Sequence, residues 1–131
     1  MKKTIGIFLL TFVGITFLNG QISFSCNYRQ YCDWNDNNKQ FENCSGYEEN
    51  SLFVLNKTET MFTHTIETMK SAYYVNSKEH DEEKDVWSYQ VSSDVGNQYL
   101  YVFDPKNKQI RVLCVIDGKA KLIIYTVKAI F

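Results

Sequence analysis

Residues 109–127 read QIRVLCVIDGKAKLIIYTV, and the Asp117-Gly118 pair at their centre decides the fold. A two-residue type I′ hairpin turn needs positive φ at both positions, which Asp and Gly tolerate best. With that pair at the corner, Ile116 faces Lys119, Leu113 faces Leu122, Val112 faces Ile123 and Ile110 faces Tyr125. One face of the hairpin then carries Leu113, Val115, Ala120, Leu122 and Ile124. The other carries Ile110, Val112, Cys114, Ile123, Tyr125 and Val127. A ribbon apolar on both sides is expected to be covered on both sides, inside a sandwich or a small barrel.

Working outward, Val86 to Val91 and Gln98 to Asp104 are further strand-like runs, with Trp87/Tyr89/Val91 and Tyr99/Tyr101/Phe103 alternating in register. Polar clusters separate them, Ser92 to Asn97 and Pro105 to Lys108. Upstream, Ile22, Phe24, Cys26 and Tyr28 alternate with polar residues and are expected to share one face, and Ser51 to Leu55 and Ser71 to Val75 also read as strands. Thr58 to Lys70 is ambiguous. Phe62, Ile66, Met69 and Tyr73 fall at helical spacing behind an Asn56/Glu59 capping pair. Five threonines, stiff at χ1, tip the reading to strand. The expected fold is all-β: an antiparallel meander of about seven to nine short strands closing as a small barrel or sandwich.

Residues 1–20 read as a secretory signal peptide, expected to be helical. Lys2 and Lys3 precede an uncharged apolar run from Ile5 to Leu18, and Asn19-Gly20 precedes the expected cleavage before Gln21. The run falls short of the ~20 apolar residues of a membrane span, so no stable anchor is expected after cleavage. It resembles the signals of proteins secreted by Gram-negative bacteria, which implies a periplasmic or extracellular location. Residues 21–131 would then be one β-domain, with room for a single core.

Those residues carry 12 basic and 15 acidic side chains, a formal charge of −3, which argues against a nucleic-acid partner. The charge is lopsided, −8 over residues 21–104 and +5 over 105–131. A basic C-terminal hairpin beside acidic neighbours is the expected arrangement.

Four cysteines in an exported chain read as two disulfides. A hairpin looping over Asp36 to Gln40 sets Cys32 opposite Cys44, which leaves Cys26 to pair with Cys114. The intervals do not suit a zinc site, and neither a metal nor a cofactor is expected. No nucleophile elbow, His-Glu-x-x-His or phosphate loop occurs, and no catalytic residue is nominated. The acid-rich run Glu79 to Asp85 reads as a solvated loop. Nine Tyr, nine Phe and two Trp form an aromatic-rich chain. Tyr73, Tyr74, Trp87, Tyr89, Tyr99 and Tyr101 are the candidate residues for binding a ligand or partner, since a phenol offers an apolar body with a polar tip. The expected function is a non-catalytic exported domain that binds a small apolar ligand or a protein. The alternatives are a small carboxylate-based hydrolase and a structural envelope component without a ligand.

Overall fold

The computed structural model describes residues 20–131, so the expected signal peptide, apart from Gly20, lies outside the described residues. Eight antiparallel strands follow one another around a closed barrel: β1 (Ile22–Asn35), β2 (Gln40–Leu55), β3 (Met61–Ile66), β4 (Met69–Asp81), β5 (Val86–Ser93), β6 (Gln98–Asp104), β7 (Gln109–Ile116) and β8 (Lys119–Ile130). Pairing of β8 with β1 closes the barrel and leaves no sheet edge between them. The Asp117-Gly118 turn is left-handed at both residues, φ 53° and 76°, and β7 and β8 pair in the register expected from it.

The up-and-down path gives the barrel two ends. The chain enters and leaves at one, with the turns over residues 56–60, 82–85 and 105–108. The other, the open end, holds the turns over residues 36–39, 67–68, 94–97 and 117–118. Strand wins over helix in residues 58–70 because the apolar residues at helical spacing are cross-strand partners, Phe62 with Tyr73 and Ile66 with Met69. The Asn56 side chain caps a turn instead of a helix, accepting from the Thr60 and Met61 amides at 2.9 and 3.2 Å.

An eight-stranded barrel is just wide enough for side chains to fill. Phe24, Phe53, Phe62, Tyr89, Phe103 and Ile110 fill its terminal half. Phe53 meets Phe103 and Tyr125 edge-on, with ring centroids 6.1 and 5.1 Å apart. Burying each such side chain contributes about 2–3 kcal/mol.

Two expectations about faces need correction. The barrel encloses only one side of the C-terminal hairpin: Ile110, Val112, Cys114, Ile123, Tyr125 and Val127 are buried, whereas Leu113, Leu122 and Ile124 are half-buried on the outer wall and Val115 is exposed. Leu100, Leu113, Leu122 and Cys32 lie side by side along that wall, which is how a one-layer barrel shelters them in part. Second, Tyr28 does not follow Cys26 inward. A register shift between Cys26 and Tyr28 inserts one residue, Asn27, and reverses the alternation. Tyr28 turns outward over Gly46, where a Cβ would come within 2.6 Å of its hydroxyl oxygen. Arg29 and Tyr31 turn inward, opposite Tyr125 and Ile123.

Cys32 and Cys44 are bonded, by a slightly different route from the one expected. The turn is shorter, residues 36–39, closed by Asn35 paired with Gln40, and a second register shift between Tyr31 and Asp33 realigns the cysteines. Cys26 and Cys114 are not bridged; both are free and buried. Along β8, Cys26 lies opposite Val127 and Cys114 opposite Lys121, six positions apart. That separation is roughly 20 Å of strand, against the ~7 Å limit between the Cα atoms of a disulfide. The charge asymmetry is answered within the barrel at two points, by Arg111 on Asp104 at 3.1 Å and by Lys121 on Asp33 of the neighbouring strand.

Candidate functional site

The aromatic core stops short of the open end. There a cavity of about 700 Å³ opens between the turns and reaches down to Tyr101 and Tyr125. Its walls come from inward positions of β1, β3, β4, β6, β7 and β8, and its lip carries Ile66, Met69, Val115 and Ile116. Met69 and Val115 are 60% and 69% exposed there, large apolar side chains left at a rim.

Among the described residues Arg29 is the one formally charged side chain that lines this cavity. Its guanidinium carbon lies 5.6, 5.8 and 6.0 Å from the rings of Tyr31, Tyr125 and Tyr47, within cation–π range. Glu49 of β2 approaches it at 3.7 Å through a buried carboxylate oxygen. Burial opposes the charge on Arg29. Tyr125, Tyr47 and Glu49 together outweigh that effect and hold the guanidinium above its ordinary pKa.

His64, opposite Phe53 on β2, stacks on that ring at 4.1 Å and meets Tyr125 edge-on at 5.1 Å. Burial first, and the charge on Arg29 second, lower its pKa to about 4, so the imidazole is neutral near pH 7. Tyr125 and Tyr101 are both pushed up, chiefly by burial, and keep their phenolic protons. Cys114 reaches the same cavity as a thiol raised by burial. Buried polar atoms nearly always find partners, and exceptions call for a reason. Among the described residues four side-chain atoms lack one, and three of these belong to Arg29, Glu49 and His64.

The six residues nominated from the sequence are divided by the barrel. Tyr73, Tyr99 and Tyr101 meet inside the cavity, with centroid separations of 5.2 Å for Tyr73–Tyr101 and 5.6 Å for Tyr73–Tyr99. Tyr74 faces outward and is exposed. Trp87 and Tyr89 line a smaller cavity of about 160 Å³ at the terminal end. There the Tyr89 hydroxyl donates to Glu59 at 2.9 Å, and Trp87 stacks under His80 at 3.7 Å. The residues missed were Arg29, His64, Tyr125 and Cys114. Tyr125 and Cys114 already stood in the inward set of the hairpin, but Arg29 was hidden by the bulge at Asn27.

Among the described residues no carboxylate lines the cup; at the other end Asp104 shares an outer cleft with Glu79 and Asp81. Asp104 is the buried one, on the outer side of the terminal end. Burial raises its pKa, but hydrogen bonds from Asn107 and Arg111 outweigh this and hold it below the usual range. A general acid needs the opposite shift. Glu59 and Asp85, in the smaller cavity, are paired with Lys78 at 3.5 Å and His80 at 2.9 Å.

Fold and cavity together define an up-and-down eight-stranded β-barrel with a cup at one end. Comparison with known protein families, curated proteins and solved structures found no match.

Proposed function

We propose that this protein is a non-catalytic binding barrel that holds a small, largely apolar ligand in the cup at its open end, and that it works after export, in the periplasm or outside the cell. The cup carries the reading: about 700 Å³, walled by aromatic and aliphatic side chains and open at one end. Small-molecule sites have that size and lining, with a few polar groups among apolar ones. The Cys32–Cys44 bond supports an oxidising destination. The non-catalytic reading over a carboxylate hydrolase is supported by the cup, whose described lining has no carboxylate pair, and by Asp104, which is tied up by Asn107 and Arg111. A protein partner would favour a flat tyrosine surface, and of the six nominated residues Tyr74 alone is exposed.

The test is titration of the purified, non-reduced protein with N-phenyl-1-naphthylamine, a neutral fluorophore that brightens in apolar surroundings. Binding with a blue shift is expected. Ile123→Trp, which fills the cup, is expected to weaken it at least tenfold, and Ser71→Phe provides a second filling variant should the first fold poorly. Binding that survives both substitutions, or no binding by the parent protein, refutes the reading.

A further inference from the structure

We propose that the ligand is an amphiphile with an anionic head, which enters first and rests on Arg29, while its apolar body leads out over the lip of the cup. This rests on the cup being a ligand site and adds the chemistry of its occupant.

Depth comes from strand register. Going inward from the rim pair Asp33–Lys121, the pairs between β1 and β8 are Tyr31–Ile123 and then Arg29–Tyr125. Arg29 therefore lies four residues inside the rim, roughly 13 Å along the strand. The lip holds Met69, Val115 and Ile116, all exposed, beside the polar Asn97 and Gln98, and the charged Arg29 lies below them. An occupant that uses both the deep charge and the exposed apolar side chains of the lip is anionic at its inner end and apolar along its outer part.

Charge comes from the lining. Among the described residues no Asp or Glu lines the cup and Arg29 is the one formally charged side chain on its wall, with the Glu49 carboxylate beside it. Glu49 of β2 faces the guanidinium through a buried carboxylate oxygen at a single 3.7 Å approach, too long for a hydrogen bond, so the N–H donors of Arg29 are not consumed by it. A guanidinium carries five N–H donors and no acceptor. The hydroxyls of Tyr101 and Tyr125 keep their protons and add donors at the same depth. Neutral His64 adds no second charge. A site rich in donors, with one fixed cation in low-dielectric surroundings, selects an acceptor-only group such as a carboxylate.

The test compares three twelve-carbon amphiphiles that differ only in the head: dodecanoate, dodecanol and dodecyltrimethylammonium. Each displaces N-phenyl-1-naphthylamine from the purified protein, below its aggregation threshold. Dodecanoate is expected to bind at least tenfold tighter than either of the others, as a charge-assisted hydrogen bond in a sheltered site provides. Arg29→Gln is expected to abolish that preference. Alkylation of Cys114 in the parent protein provides a readout that needs no variant: dodecanoate is expected to slow it more than dodecanol does. Equal affinities, or a preference for the cation, overturn the anionic head and leave the cup as an apolar site. A dodecanoate preference that persists in Arg29→Gln overturns the role of Arg29. Failure of all three to displace the fluorophore overturns both the head and the cup.

Discussion

Lowering the pH is expected to destabilise the barrel through one residue, His64, beginning above the range in which carboxylates titrate. The imidazole lies on Phe53, edge-on to Tyr125, with Arg29 nearby. Burial and then that charge bring its pKa from 6.5 to about 4. The unfolded chain therefore takes up a proton as pH falls below 6.5, while the folded chain refuses it until about 4. The stability that depends on neutral His64 is complete above 6.5, declines as pH falls through that window, and is gone below the folded value. The gap corresponds to about 3 kcal/mol when fully developed, and about 2 kcal/mol of it should be lost by pH 5. Urea unfolding at pH 7.5, 6.0 and 5.0 measures this, with His64→Phe as the reference that lacks the titrating group. Glu42 and Asp104, whose carboxyls are held low, titrate further down and affect both proteins alike. The difference between the two proteins is expected to narrow or reverse in favour of the variant as pH falls. Parallel stability curves between pH 7.5 and 5.0 would show that His64 takes up its proton as readily in the fold as in the unfolded chain, and would refute the packing argument.

The cysteines give a count: unfolded without reductant, the protein is expected to expose two reactive thiols, Cys26 and Cys114, where four or none would contradict the pairing. Replacing Cys32 and Cys44 together by Ala should cost about 2–3 kcal/mol in chemical denaturation, the loop-closure value for a short hairpin. Gly118→Val meets no atom within 4 Å but must adopt φ near +76°, so a loss of about 1–2 kcal/mol is expected from backbone strain alone. A neutral result would place the turn elsewhere. Tyr89→Phe removes the hydrogen bond to Glu59 at the terminal end and should lower stability by about 1 kcal/mol, read from the urea midpoint, while leaving binding in the cup unchanged.

What could be read from residues alone was whatever local chemistry decides. Asp117-Gly118 dictates its turn, the turn dictates the register of β7 and β8, and the register sorts Val112, Ile123 and Tyr125 from Leu113 and Leu122. The stretch from Phe62 to Tyr73 was harder, because two residues facing each other across a tight hairpin mimic the spacing of a helix face. The bulge at Asn27 left no compositional mark. Inserting one residue into a paired strand reverses every side chain beyond it, so Tyr28 went outward and Arg29 came in. The Cys26–Cys114 expectation failed for a related reason. Which residue of β1 lies beside which residue of β8 is set by closure of the whole barrel, and no local signal reports it. Of the candidate site, the tyrosines on β4 and β6 were visible as a pattern, but their convergence on Arg29 and His64 is a product of that closure.

The central claim is that the open end of this barrel is a cup that receives a ligand head-first. Amide chemical-shift mapping of the isotope-labelled protein with saturating dodecanoate tests it most directly. Large shifts are predicted at Arg29, His64, Tyr101 and Tyr125 within the cup and at Met69 and Ile116 on its lip, with Lys106 and Asn107 at the far end unmoved. Shifts confined to the outer wall around Leu113, Leu122 and Ile124 would contradict the account.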